Sequence, residues 1–503
     1  MSIQIIGCVL VNHDFVNEVQ TVAQLFFPGA RFSFICEGQG SGFEKTSVGN
    51  VLKVTRPEGF VDTYPQGYVI RTVMDETTAQ AHIIHNGSEI TRYELPFEAL
   101  PLYLTPRRVL MLALYHALQK AVGAYTPWGA LTGIRPSKMV REWLEDGWLD
   151  EKVIATMQDP FCVTPEKARL ALTVAKAEME LTARIYAQQC CANTAPQPVG
   201  IYISIPFCPT RCVYCSFNTS HKPAKEDTHA RYIAAISNEC KAKAAQLREI
   251  NGIVSSIYIG GGTPTVLSEN LLAQLLATIA ETFDTGEYSV EAGRPDTLTL
   301  AKLKLLKSHG VNRIAVNPQT LNDTTLALIG RNHTAADFFT AFHAARDAGF
   351  ACINTDIIAG LPGETPDDMR RTMAAITDLS PENITVHTLA VKRASHINEF
   401  RSQFTLPTAQ ATEEMLDIAA IACHEAGLSP YYLYRQKNMV GMFENIGYSK
   451  PGYECLYNVG MMAEVQTVLG IGAGAVSKFV TGNKITREFN AKDPGVYMER
   501  NGI

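Results

Sequence analysis

Three cysteines stand together in the stretch Cys208-Pro-Thr-Arg-Cys212-Val-Tyr-Cys215. Thiolate is the natural ligand of iron–sulfur clusters. Three thiolates at this spacing hold three irons of a [4Fe–4S] cube and leave the fourth iron without a ligand from the protein. The amino and carboxylate groups of S-adenosylmethionine (SAM) can chelate such an open iron. One electron passed into the sulfonium then breaks a C–S bond and yields a 5′-deoxyadenosyl radical. The competing reading is a structural zinc, which wants four ligands. The nearest fourth candidate is His221, six residues after Cys215, and no second cysteine pair follows. The spacing therefore favours the cluster. The other cysteines, Cys8, Cys36, Cys162, Cys190, Cys191, Cys240, Cys352, Cys423 and Cys455, are scattered and read as small buried side chains.

Further along, Gly260-Gly261-Gly262-Thr263 follows an apolar run. Glycines there let the backbone approach a ligand with no Cβ in the way, or else make a tight turn from strand to helix. Glu291 and Asp356 each end an apolar run. As strand-end carboxylates they can accept hydrogen bonds from the amino and hydroxyl groups of a ligand, or cap the helix that follows. Tyr214, between two of the cysteines, can lay its ring on adenine. Tyr202 begins the strand beneath, where an ordinary core role serves equally well.

These residues are positioned by three segments. The first, 1–195, opens with a strand at Ile3–Val11, a helix at Phe15–Phe27 and a strand at Arg31–Cys36. Strands at Tyr68–Met74, Ala81–His85 and Ile90–Leu95 follow, then helices at Arg107–Val122, Ser137–Leu144 and Pro165–Ala187. A Pro-rich linker spans 193–200. The second segment, 196–400, alternates six short apolar runs (Ile201–Ile205, Ser256–Gly260, Tyr288–Glu291, Arg313–Asn317, Asn354–Ile358, Asn383–Leu389) with amphipathic helices. The helices fall at Ala230–Glu249, Glu269–Thr282, Leu300–Ser308, Ala335–Ala348 and Pro366–Asp378. Such alternation implies an α/β fold with a parallel sheet, since each parallel return needs a crossover. Six units are too few to close an eight-stranded barrel. They suit an open partial barrel or a doubly wound sheet, with reactive groups at the C-terminal ends of the strands. The third segment, 401–503, holds one helix at Thr412–Ala426 and a glycine-rich element at 470–475, and reads as a small α+β appendage.

The chain has 503 residues, enough for two to four domains. A formal net charge of −6 argues against nucleic acid as a partner. No apolar run approaches the ~18 residues of a membrane span, and the start lacks a secretory signal. The expected setting is the cytoplasm, whose reducing chemistry keeps thiols free for ligation.

The ordered set of motifs resembles the radical SAM superfamily, and within it the oxygen-independent coproporphyrinogen III oxidases, or coproporphyrinogen dehydrogenases. The cluster loop from Tyr202 through Cys208, Cys212, Tyr214 and Cys215 is similar to theirs, as is the motif with Gly261, Gly262 and Thr263. Glu291, Gln319 and Arg331 (in 317–334) and Asp356 match the family's glutamate, glutamine, arginine and aspartate. The stretch 470–476, ending at Val476, resembles a late glycine element that touches SAM. Segment 1–195 and the phrasing of 290–296 are closest to the HemZ-type branch. The resemblance implies a partial (β/α)6 radical SAM barrel, with an N-terminal α+β domain and a small C-terminal one. It implies a [4Fe–4S] cluster, SAM, and an electron donor such as flavodoxin or ferredoxin. It implies a reaction too: a β-hydrogen is taken from a propionate side chain of coproporphyrinogen III, the substrate radical loses CO2 and one electron, and a vinyl group remains. Two rounds give protoporphyrinogen IX, and so the family's place is anaerobic heme biosynthesis.

A tetrapyrrole substrate with four carboxylates needs cations, and Arg294, Lys392, Arg393 and Arg435 are the candidates by position. Two departures touch substrate handling. Phe217 stands where some members carry a fourth cysteine, and the glutamine motif reads Asn317-Pro-Gln319. An alternative is a heme-binding chaperone like those related to this family. Their His-Asn…Tyr-Trp element is absent from 455–462, which weighs against it. A radical SAM enzyme acting on another tetrapyrrole stays open. The loop 127–136 reads as a structural turn, and no catalytic residue is expected before 200.

Overall fold

The computed structural model describes residues 5–37, 52–53, 67–99, 104–123, 126–187, 196–217, 226–284, 286–482 and 484–503. They divide into two compact units, Met1–Gly133 with Gly147–Arg169 and Ile134–Asp146 with Leu170–Ile503.

The first unit carries strands β1 (Ile5–Val11), β2 (Arg31–Glu37), β3 (Leu52–Lys53), β4 (Tyr68–Met74), β5 (Thr78–His85) and β6 (Ser88–Pro96), side by side as β3-β2-β1-β4-β5-β6. β1 runs parallel to β2 and β4, and the helix Val16–Phe26 makes the β1-to-β2 crossover. β4, β5 and β6 form an antiparallel meander. β5 alternates, burying Ala79, Ala81 and Ile83 beneath the helix Pro106–Val122. Thr105 caps that helix by accepting from Arg108 N, and Pro106 sits at its first position. A short helix at Asp150–Gln158 has no counterpart in the sequence reading: Val153 and Met157 alone are buried, too little apolar signal to register.

The second unit is built on an eleven-stranded sheet. Its central strands are β7 (Gln197–Ile205), β8 (Gly252–Gly261), β9 (Glu287–Glu291), β10 (Arg313–Ala315), β11 (Cys352–Ala359) and β12 (Asn383–Thr388). They lie in chain order and are parallel throughout. A doubly wound sheet reverses strand order at a switch point; this one does not. Its units coil in one direction, as in a barrel left open. The crossover helices start on defined caps. Ser268 accepts from Leu271 N before Glu269–Thr282, and Thr299 from Lys302 N before Leu300–Ser308. Capping boxes Thr334/Asp337 and Thr365/Asp368 open Ala335–Asp347 and Pro366–Asp378.

The region after 400 differs from the separate appendage expected. It supplies β13 (Ser429–Tyr434), β14 (Asn445–Ser449), β15 (Thr467–Ile471), β16 (Val476–Thr481) and β17 (Lys484–Phe489). β14 pairs with β12 at one edge, and β15 pairs in parallel with β7 at the other. An open barrel leaves unpaired backbone on its first and last strands, and these additions satisfy it. Residues 401–503 thus share a unit with 196–400. Likewise β7 begins at Gln197, inside the stretch expected to be linker; residues 193–195 lie outside the described residues.

One buried carboxylate in this unit makes a test. In the helix Pro165–Ala187, Glu178 accepts from Ser137 Oγ at 3.1 Å, with Arg141 Nη1 3.9 Å from its other oxygen. Burial pushes this carboxyl up to about 7, opposed by Arg141 and Ser137. Between its ordinary value of 4.5 and about 7 the folded chain holds the proton more tightly than the unfolded one. Its contribution to stability is therefore largest at low pH and is lost as pH rises through that window. Glu178→Gln is expected to flatten the decline by on the order of 1–3 kcal/mol. Urea midpoints at pH 5 and pH 8 check this; equal slopes for both proteins would contradict it.

Candidate functional site

β7 ends at Ile205 and the chain passes at once into the loop bearing Cys208, Cys212 and Cys215. The loop is pinned from three sides. Gly262 N donates to Ile205 O and Thr263 N to Phe207 O, both at 2.8 Å. Val213 N donates to Ile329 O at 3.0 Å and Thr210 Oγ1 to Gly330 O at 3.1 Å. Ile397 N donates to Val213 O at 3.0 Å. The three cysteines line one cleft of about 370 Å3 at the C-terminal ends of the strands. Cys208 Sγ lies 3.4 Å from Thr263 Oγ1, and Arg294 Nη1 lies 3.9 Å from Cys212 Sγ. Burial pushes the Cys215 thiol up to about 11, with Cys212 and Cys208 adding to it. Among the described residues no three metal-binding side chains converge on a single ion's position. The thiols are spread round a cleft instead. Three thiols, with no fourth cysteine on the cleft among the described residues, are a donor set that fits a cluster with one open iron. His221 lies outside the described residues.

The glycines make room for neighbouring protein atoms. A Cβ on Gly260 would stand 2.7 Å from Glu291 Oε2, and one on Gly262 would stand 2.5 Å from Phe207 O. Their missing side chains admit a carboxylate and the cluster loop itself. Gly261, Gly262 and Thr263 still line the cleft.

Glu291 ends β9 and accepts from Tyr258 OH at 2.7 Å. Burial pushes its carboxyl up to about 7, with Tyr258 pulling it down and Asp356 pushing it further up. Asp356 accepts from Asn317 Nδ2 and Asn354 Nδ2, both at 2.7 Å, and His387 Nε2 stands 3.7 Å away. Burial opposes ionisation there too, but His387 and Asn354 outweigh it and hold the carboxyl below its usual range. The cleft thus pairs one carboxyl near neutrality with one that is ionised. Arg331 donates to Gly293 O at 3.0 Å, Asn317 O at 3.2 Å and Tyr214 OH at 3.2 Å. Gln319 is held at φ 71°, costing about 1 kcal/mol or more, by Gln319 N to Asp356 O and Ile358 N to Gln319 O, both 3.0 Å.

Glu291, Gln319, Arg331, Asp356 and Tyr214 therefore share the cleft with the cysteines. Tyr202 and Val476 do not line it. Tyr202 points into a second cavity of about 240 Å3, its ring 6.4 Å from Tyr258 and 6.2 Å from Tyr457. That cavity shares Glu291, Asp356, His387 and Tyr434 with the cleft. Val476 lies in the β16–β17 ladder opposite Phe489, its backbone against Gly470. Of the four cations considered, Arg294 is 4 % exposed and bidentate to Asp296 at 2.9 and 2.8 Å, so its charge is taken up within the loop structure. Arg435 is buried, donating to Met442 O, and Arg393 faces solvent; neither lines the cleft. Lys392 lines it. The sequence reading missed His387 and Asn317. His387 had a signal: with Asn383 and Thr385 it makes alternate positions of β12 polar, and all three face the barrel interior.

A chain with this open barrel and a three-thiol loop after its first strand has the form of a radical SAM protein. The family model for the radical SAM superfamily matches residues 202–376. The chain is 37% identical over 390 residues to the "Oxygen-independent coproporphyrinogen-III oxidase-like protein HemZ" of Bacillus subtilis, covering 76% of each chain. It is 33% identical over 283 residues to the "Heme chaperone HemW" of the same organism, covering 54% of this chain and 69% of that one. Among solved structures it is similar in fold to coproporphyrinogen III oxidase (HemN) from Escherichia coli, with a TM-score of 0.51 and 22% identity over 65% of this chain and 71% of that one. The chain belongs to the radical SAM superfamily of oxidoreductases, in its HemZ/HemN-like coproporphyrinogen III oxidase branch. Membership implies a [4Fe–4S] cluster and SAM. No helix among the described residues is long and apolar enough to cross a membrane.

Proposed function

We propose that this chain decarboxylates the propionate side chains of coproporphyrinogen III to vinyl groups, giving protoporphyrinogen IX in anaerobic heme biosynthesis. The observation that carries the reading is the meeting, in one cleft, of three cysteines with Glu291, Gln319, Arg331 and Asp356 in a chain of this branch. Cys208, Cys212 and Cys215 would hold the cluster. When bound, the cluster and SAM supply a 5′-deoxyadenosyl radical that takes a hydrogen from the propionate. Glu291 and Asp356 offer acceptors for the amino and hydroxyl groups of SAM. Asn317, Asn354 and His387 fix the Asp356 carboxylate, and Arg331 fixes Tyr214 across the cleft. Among the described residues Lys392 is the cation on the cleft whose amine meets only a carbonyl, Lys437 O at 3.3 Å, which leaves its charge for a substrate carboxylate. The chain works in the cytoplasm, with a low-potential donor such as flavodoxin or ferredoxin.

Anaerobic incubation with SAM, reductant and coproporphyrinogen III is expected to release 5′-deoxyadenosine and CO2 together. Deoxyadenosine without CO2 rejects this substrate and favours another tetrapyrrole. Tight heme binding without turnover favours the chaperone reading, which the identity to HemW supports.

The Glu291 pair gives a pH prediction. Its carboxylate form is the better acceptor, and it gains that form as pH rises through about 7. SAM affinity is expected to rise several-fold from pH 6 to pH 8, and Glu291→Gln to flatten the rise. Calorimetric titration of the reconstituted protein checks it; an unchanged pH profile in the variant would refute the role.

A further inference from the structure

Residues 389–403 lie across the cluster loop. Ile397 N donates to Val213 O at 3.0 Å, and the Arg211 guanidinium donates to Ala394 O. A second loop joins them: Val391 N donates to Asn438 O at 2.9 Å and Lys392 Nζ to Lys437 O. Together these segments carry Arg211, Lys392, Arg393, Arg401 and Lys437 against a single acid, Glu399, which stands 3.9 Å from His396. Some exposed arginines elsewhere stand beside acids, as Arg92 by Glu94, Arg169 by Glu166 and Arg370 by Asp367, and others, such as Arg231 and Arg248, stand singly on their own helix. Among the described residues these five cations have no such partner. In a chain of net charge −6 the collar is a local reversal of sign.

Arg393, Arg401 and Lys437 are exposed and do not line the cleft, so their charge is presented outward rather than to a ligand inside it. Phe400, 41% exposed and edge-on to His396, lies in the same segment, next in the chain to Arg401, and an exposed aromatic ring suits a protein interface. The collar also gives a short way in. Exposed Ala394 is one hydrogen bond from Arg211, whose neighbour in the chain is Cys212.

We propose that this collar docks an acidic one-electron carrier protein. The proposal rests on the reading of Cys208, Cys212 and Cys215 as cluster ligands. One electron leaves the reduced carrier, which is oxidised by one, and enters the cluster, which is reduced by one; no bond is made or broken. Opposite charge steers the encounter, so the rate depends on salt.

The test is anaerobic stopped-flow bleaching of the reconstituted full chain, with reduced flavodoxin as one donor and dithionite as the other. For the wild type, the flavodoxin rate should fall steeply with added NaCl. The Arg393→Glu/Lys437→Glu double variant should be slower with flavodoxin by about tenfold or more at low salt and lose most of the salt dependence. Its dithionite rate should stay within about twofold of wild type. Equal flavodoxin rates in the two proteins overturn the proposal. Equal slowing with both donors also overturns it, because the cluster rather than the encounter is then affected. An unchanged flavodoxin rate with a raised KM for coproporphyrinogen III assigns the collar to substrate carboxylates instead. If the wild-type chain takes up no cluster, the underlying reading fails and the proposal falls with it.

Discussion

Alanine at Cys208, Cys212 or Cys215, one position at a time, is expected to leave a folded chain that takes up no stable [4Fe–4S] cluster and forms 5′-deoxyadenosine only at background. Each sulfur is one of three donors on the cleft, and a cube held at two corners lacks the grip that three give. Folding should survive because backbone bonds to Gly262, Thr263, Ile329 and Ile397 position the loop, not the thiols. Cys240→Ala serves as the control: that thiol is fully buried in the helix Glu226–Glu249 and does not line the cleft. It should keep its iron. Iron and sulfide per chain, visible absorbance and circular dichroism check all four variants together. Full iron in any of the three loop variants would contradict the ligand assignment.

A methyl group at Gly262 is the second large effect. Its Cβ would stand 2.5 Å from Phe207 O, 2.8 Å from Ile205 O and 2.9 Å from Phe207 N. All three are backbone atoms, one at the end of β7 and two in the cluster loop, so no side chain can rotate away. Gly262→Ala is expected to cost about 1–3 kcal/mol and to push the loop off β8. Cluster uptake should fall with it, although no ligand has changed. Gly286→Ala meets nothing within 4 Å and should cost less than about 0.5 kcal/mol. Denaturant midpoints and iron content of both variants decide this. A Gly262→Ala protein with wild-type stability and iron would show that the glycine is not what seats the loop.

Much of this was legible because it was local. The helices Glu269–Thr282, Leu300–Ser308 and Pro366–Asp378 begin and end where the sequence reading puts them, since Ser268, Thr299 and Thr365 are cap residues at the start of an apolar period. The cysteine spacing is equally local. What escaped depends on partners far along the chain. Nothing in 467–471 says that β15 will lie beside β7, because the pairing follows from an edge left open by the barrel. Tyr202 alternates with its neighbours, and only the assembled barrel shows that its side faces the second cavity. Arg294 was read by its position at the mouth. Asp296 two residues on, in a tight turn at Pro295–Thr297, was the sign that its charge already had a partner.

The central claim is a cluster gripped by three side chains, with SAM at the remaining iron. The most direct measurement is the EPR spectrum of the anaerobically reconstituted, reduced full chain, taken with and without SAM and alongside metal analysis. The account predicts about four irons per chain and a spectrum that changes when SAM is added. Zinc in place of iron, or a reduced cluster whose spectrum is indifferent to SAM, would contradict it.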